Sequence, residues 1–299
     1  MAAKIVAFTQ KGNKFFATVD GGPSFYVGSK VIYKNPQSGM ESWGLINTST
    51  DGPLYDPVDH RTQDGIWADF VYPICLCESQ ASFQCLNTYD RAFFTFGFLQ
   101  FAAHVPNGDF VKFFRALLAL PPGPSYFPDL MVQGGRIVRL TETGVVPLES
   151  DSSTQPLMGY LNPSLIAIED IEVINAAKFV HWSLNDADHR TTQVEIGIAQ
   201  IRGAMAGYAS RYALDQMLDK VCLVVTDIRH QGRGKSSQII EALNTGGDQD
   251  AAYNNLLQIG MPWFAPRIKT LKKAIATLVG EGRLGTTKYD VASGDFVPL

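Results

Sequence analysis

The sequence predicts a mainly α protein of the α+β class. A small β-rich module over residues 1–58 precedes a helical domain over 59–299, which a β-hairpin interrupts at about 125–165. Three observations carry this reading. Runs rich in Val, Ile, Phe and Tyr, separated by turn residues, fill the chain before Pro57. Apolar residues then recur at helical spacing, and a Gly-Gly pair later separates two short apolar runs.

In the first module the expected strands are Lys4–Thr9, Lys14–Val19, Ser24–Lys34 and Ser42–Thr48. Gly12-Asn13, Gly21-Gly22-Pro23 and Asn35-Pro36 mark the turns between them. After Pro57, Trp67, Phe70, Val71, Ile74 and Glu78 follow a helical period, so Ile74 and Glu78 share a face. Pro73 either kinks this helix or begins a shorter one. A second helix is expected over Phe93–Ala103 and a third over Phe110–Leu120, with Asp109 as its N-cap. The hairpin insertion turns at Gly134-Gly135 and again at Gly144. Further helices are expected at roughly 165–182, 190–219, 221–228, 235–244, 250–258 and 265–280, and the tail Tyr289–Leu299 reads as loop or short strand.

Apolar residues make up 45% of the 299 and charged residues 18%, which suits a chain that buries a core. The eighteen Phe and eleven Tyr are read mostly as core. A net charge of −4 offers no basic field for a polyanion, so nucleic acid is not an expected partner. No stretch of eighteen apolar residues occurs, so no membrane span is expected, and the first residues lack the pattern of a secretory signal. Four cysteines, Cys75, Cys77, Cys85 and Cys222, do not make a disulfide framework and read as buried thiols made in a reducing compartment.

The informative region is Cys77–His104. Glu78 lies on an apolar helical face just before a polar connection. A carboxyl against an apolar wall is desolvated and holds its proton more tightly, as a general acid for glycosidic cleavage requires. The turn Asn87-Thr88-Tyr89-Asp90-Arg91 leads into Gly97-Phe98-Leu99-Gln100. A glycine permits close approach of backbone to a sugar ring, and a Gln one turn on can bond an N-acetyl group or hydroxyl.

This order resembles the lysozyme superfamily, in particular goose-type lysozymes and lytic transglycosylases. Those families place a catalytic Glu, often followed by Ser, at the end of a helix, then a polar loop, then a Gly-x-x-Gln segment that opens the next helix. Glu78-Ser79 is similar to the first part and Gly97–Gln100 to the last, although the gap between them is longer than in many transglycosylases. A later stretch resembles phage-type lysozymes: a helix, the turn Gln231-Gly232-Arg233-Gly234, a helix capped by Ser236 or Ser237 that ends in Leu243-Asn244-Thr245-Gly246, then Trp263 and Arg267. The resemblance implies a lysozyme-like helical domain and cleavage of a β-1,4-linked amino-sugar polymer, peptidoglycan first and chitosan or chitin second. Glu78 would be the general acid. Asp90 would activate water, or Glu78 would act alone and leave an anhydro product. Ser79, Tyr89, Gly97, Gln100 and His104 would line the substrate groove. No metal and no cofactor are implied. The implied setting is synthesis in a bacterial cytoplasm and action on the cell wall after release, with a phage lysis system or a contractile secretion apparatus as the route out.

Other readings of the residues remain open. Cys77 or Cys85 with His104 or His230 would suit a Cys-His peptidoglycan amidase. A non-catalytic wall-binding or phage structural protein would use the same scaffold without turnover. Asp227, Arg229 and His230 read as a structural ion cluster, and Asn185–His189 as a helix-connecting turn, because the glycine of a calcium loop is missing.

Overall fold

The computed structural model describes residues 2–35 and 38–299. Its strands are β1 (Val6–Lys11), β2 (Lys14–Val19), β3 (Phe25–Lys34), β4 (Glu41–Asn47), β5 (Leu86–Asn87), β6 (Thr95–Phe96), β7 (Phe101–Ala102), β8 (Leu130–Gln133), β9 (Arg136–Thr141), β10 (Gly144–Pro147), β11 (Thr287–Asp290) and β12 (Asp295–Pro298). Its helices are α1 (Arg61–Asp64), α2 (Ile66–Ser79), α3 (Asp109–Ala119), α4 (Gly123–Tyr126), α5 (Gln155–Leu161), α6 (Asp170–Asn185), α7 (Ala187–Tyr212), α8 (Asp219–Gln231), α9 (Ser236–Leu243), α10 (Gln249–Leu256) and α11 (Ala265–Gly280). Helix takes 44% and strand 20%, so the fold is mixed α/β, with an antiparallel sheet at its N-terminal end. Among the described residues no helix is long and apolar enough to cross a membrane.

The chain divides into two compact units, neither continuous in sequence: Met1–Leu54 with Ser82–Ile196, and Tyr55–Ala81 with Gly197–Leu299. The strands expected at 1–58 thus share a unit with later residues, because their sheet does not end at β4. Antiparallel pairing runs through all seven strands in the order β1 to β7, and Ile46 and Asn47 of β4 face Asn87 and Leu86 of β5. The expected turn at Asn35-Pro36 involves Pro36, which lies outside the described residues.

The helix expected over Phe93–Ala103 is absent, and β6 and β7 stand in its place. Phe93, Gly97 and Gln100 have φ of 59°, 91° and 54°, and three left-handed residues in eight cannot continue a right-handed helix. Apolar density suggested helix, but it reflects burial on all sides. Phe94, Phe96, Phe98 and Phe101 are fully buried together with Phe110, Phe113 and Phe114 of α3 and Phe179 of α6. Most of their rings meet edge-on or tilted, with centroids 5.2 Å apart for Phe94 and Phe179 and 5.5 Å for Phe101 and Phe113, while Phe96 and Phe113 lie parallel. Helix α6 packs over β1, β2 and β3. The hairpin insertion forms β8 to β10, and Gly134 and Gly135, at φ 58° and 75°, make its two-residue turn.

In the second unit α2 runs through Pro73 without ending. It packs on α11 and α8, and buries Trp67, Phe70, Val71 and Ile74. The tail closes as the hairpin β11–β12, where Asp295 accepts a hydrogen bond from the Trp67 indole at 2.8 Å.

Candidate functional site

Glu78 and Ser79 are the last two residues of α2. The helix stops because Gln80 and Ala81 take left-handed backbone, φ 56° and 67°, and the Gln80 and Ala81 amides donate to the Leu76 and Cys75 carbonyls. Glycine is the usual residue for such a cap, so two side-chain-bearing residues there hold a strained exit immediately after the candidate acid. The Ser79 hydroxyl donates to the Cys75 carbonyl at 3.1 Å and is buried, so it serves its own helix rather than a groove.

The surroundings of Glu78 differ from the apolar wall expected. An Arg267 guanidinium nitrogen lies 2.7 Å from Glu78 Oε1, and His230 Nε2 lies 3.6 Å from the same oxygen. The Glu78 side chain is 15% exposed. Arg267 is held in turn. Its Nε and Nη2 fork onto Asp227 Oδ1 at 3.0 and 2.7 Å, and its Nη1 donates to Gln231. The other Asp227 oxygen accepts from Arg233 at 3.0 Å, and Arg233 also donates to the Ile259 carbonyl. Asp227 and Arg233 have no exposed side-chain surface. One buried carboxylate between two guanidiniums fixes the fork that meets Glu78, while Arg233 Nη2 is left without a hydrogen bond. The neighbouring acids hold the Arg267 charge in place, against the burial that would remove it.

All these groups belong to the second unit. Of the other expected site residues, Tyr89, Asp90, Gly97, Gln100 and His104 belong to the first. Asp90 accepts from Asn87 Nδ2 at 2.9 Å and from the Ala92 amide at 2.8 Å, so both its oxygens are engaged within its own turn. Tyr89 pairs with Tyr33 at a ring separation of 5.8 Å, and both line a pocket of about 510 Å³ with Asp90 and Arg91. Gly97 is required by protein packing: a Cβ there would strike the side chain of Gln193, which accepts from the Phe98 amide and donates to the Phe83 carbonyl. The Gln100 amide donates to the Gly97 and Cys85 carbonyls. The Gly97–Gln100 segment is therefore a turn between β6 and β7 and does not open a helix. His104 is half-buried, and burial and Arg91 push its ring toward the neutral form.

Burial pushes the Cys77 thiol up to about 12 and holds Cys75 and Cys222 well above the ordinary thiol value, the reverse of what a cysteine nucleophile needs. Asp227 and His230 were read from sequence as a local cluster with Arg229; the structure brings in Arg267 and Arg233 instead. Among the described residues no group of three or more His, Cys, Asp or Glu is arranged to hold a metal ion. Compared with protein-family models, with curated proteins and with solved structures, the chain matches none of them.

Proposed function

We propose that the protein is a lysozyme-like glycosidase that cleaves a β-1,4-linked amino-sugar polymer, peptidoglycan first, with Glu78 as general acid. One observation carries the reading. The two stretches that resemble lysozymes lie far apart in sequence, yet the key residue of each meets the other in the pair Arg267–Glu78. Glu78 stands at a helix end, 15% exposed and seated against one fixed guanidinium, a placement that serves proton delivery once the group has taken up a proton from solvent. Oε2 gives its proton to the glycosidic oxygen as the bond to the anomeric carbon breaks, and the leaving sugar departs as an alcohol. The adjacent guanidinium then stabilises the carboxylate left behind. With both Asp90 oxygens engaged in their own turn, the route with Glu78 as sole carboxyl is favoured. The sugar's own hydroxyl closes on the anomeric carbon and returns its proton to the Glu78 carboxylate, so an anhydro end forms and the acid is restored.

Digestion of purified sacculi followed by mass spectrometry of the fragments tests this. Anhydro-ended muropeptides are expected from the wild type, and Glu78→Gln should lower their yield by about a thousandfold or more, a loss typical of removing an essential proton donor with its covalent setting intact. Unchanged release by that variant, with its fold retained, removes the assignment. Reducing ends in place of anhydro ends would point to an activated water and make Asp90 the next residue to replace.

A further inference from the structure

Beyond the acid itself, the second unit carries an unassigned surface around the loop from α10 to α11. Gly260 to Phe264 form a tight tip in which the Phe264 amide bonds the Gly260 carbonyl and the Ala265 amide bonds the Pro262 carbonyl. On this tip Met261 is 46% exposed and Trp263 is 88% exposed, the most exposed of the large apolar side chains among the described residues. An exposed indole offers a flat apolar face with a polar N–H at its edge to a ligand that can stack on it.

Beside the tip lies an open pocket of about 460 Å³, lined by Met261 with Gln238, Glu241, Asn255 and Gln258. Its polar lining is only partly used. Gln238 Oε1 accepts from the Lys235 amide and Asn255 Nδ2 reaches the Ala242 carbonyl, which leaves Gln238 Nε2 and Asn255 Oδ1 unengaged. The Gln258 side-chain amide makes no hydrogen bond among the described residues, although its backbone amide donates to the Asn255 carbonyl, and Glu241 is in no ion pair there. The pocket has no cation, so a phosphate or acidic ligand has no partner here. Amides that both donate and accept match the hydroxyl and N-acetyl groups of a sugar, and Trp263, on the same tip as the pocket-lining Met261, offers a flat ring for its apolar face. Glu241 adds a partner for an unacetylated amine.

The base of the tip is tied to the candidate acid by side chains. Arg233 donates to the Ile259 carbonyl, and Asp227 joins Arg233 to Arg267 and so to Glu78. We propose that Trp263 and the adjoining amide-lined pocket form a docking site for a β-linked amino-sugar strand. It would be an accessory site that holds the polymer while Glu78 acts, and it deepens the glycosidase reading on which its substrate class rests.

Affinity electrophoresis of the Glu78→Gln protein tests it, in gels containing glycol chitin or glycol chitosan, since this form binds without cutting. Retention is expected, and Trp263→Ala and Gln258→Ala should each weaken it about tenfold, with melting curves unchanged because both side chains are exposed. Glu241→Gln should weaken retention on glycol chitosan only if the strand is read through its free amines, and on neither gel if it is read through N-acetyl groups. Retention indifferent to Trp263 and Gln258, or no retention of the parent, overturns the site. The outcomes separate from those of the catalytic reading. Retention that depends on Trp263, in a protein whose wild type releases no muropeptide, leaves the docking site standing without the glycosidase. Glu78-dependent release together with retention indifferent to Trp263 does the reverse.

Discussion

Asp227 in the second unit and Glu172 in the first are both buried carboxyl groups, and the fold treats them in opposite ways. Asp227 meets two guanidiniums, one on each oxygen. Glu172, near the start of α6, meets no cation. One oxygen accepts from the Thr88 hydroxyl, the other has no partner, and burial pushes the group up to about 7. The comparison teaches that burial alone does not define a functional carboxyl here. The charged arrangement builds a rigid seat for Arg267 and, through it, Glu78. The uncharged one stores a proton against the Thr88 turn.

The largest expected effect comes from breaking the paired side. Asp227→Ala leaves Arg233 buried without its counter-charge and should cost about 3–5 kcal/mol in urea unfolding. A loss under about 1 kcal/mol would show that the network is not held together as described. Next is Glu172→Gln. The Glu172 folded-state value lies above its ordinary 4.5, so its stabilising contribution is complete below pH 4.5 and is lost as pH rises toward about 7. His189, wholly buried among Phe96, Phe113 and Trp182, is pushed down to about 3, and its contribution is complete above pH 6.5 and lost toward acid. The two oppose each other between pH 4.5 and 6.5. Glu172→Gln should therefore stabilise the protein by about 2–3 kcal/mol at pH 8 relative to pH 4.5 and expose the acid-side decline due to His189. An unchanged difference in unfolding free energy between pH 4.5 and 8 would mean that Glu172 is not held protonated. The smallest change is Thr88→Val, which removes the hydroxyl that donates to Glu172 and accepts from the Leu45 amide at 2.6 Å. It should cost about 1–2 kcal/mol and move the Glu172 transition to higher pH, visible by titration of unfolding midpoints. A transition that stays put would leave Thr88 without influence on that carboxyl.

Local patterns in the sequence reached some of this and not the rest. The helical period of Trp67 to Glu78, the Gly134-Gly135 turn and the span 265–280 are set by neighbours in sequence, and they stand where the residues suggest. The strands β5 to β7 are two residues each and exist only because β4 offers an edge to pair with; no alternation of that length is readable. The left-handed backbone at Phe93 and Gln100 carries no glycine signal. Glu78 was found from its place at a helix end, but its partner was not. Arg267 read as a terminal basic position, and only folding brings its fork to a carboxyl on α2. Glu172 drew no reading from the sequence, because what makes it unusual is Thr88 reaching it from another element.

The interleaving of the two units has a consequence during synthesis. Helix α2 leaves the ribosome early, with an apolar face whose chief partner, α11, is made only after almost two hundred further residues. Over that interval the first unit can complete its sheet, while the second waits with Trp67, Phe70 and Val71 uncovered. Arg267 arrives with α11, so Glu78 meets its partner only as the final helix is delivered.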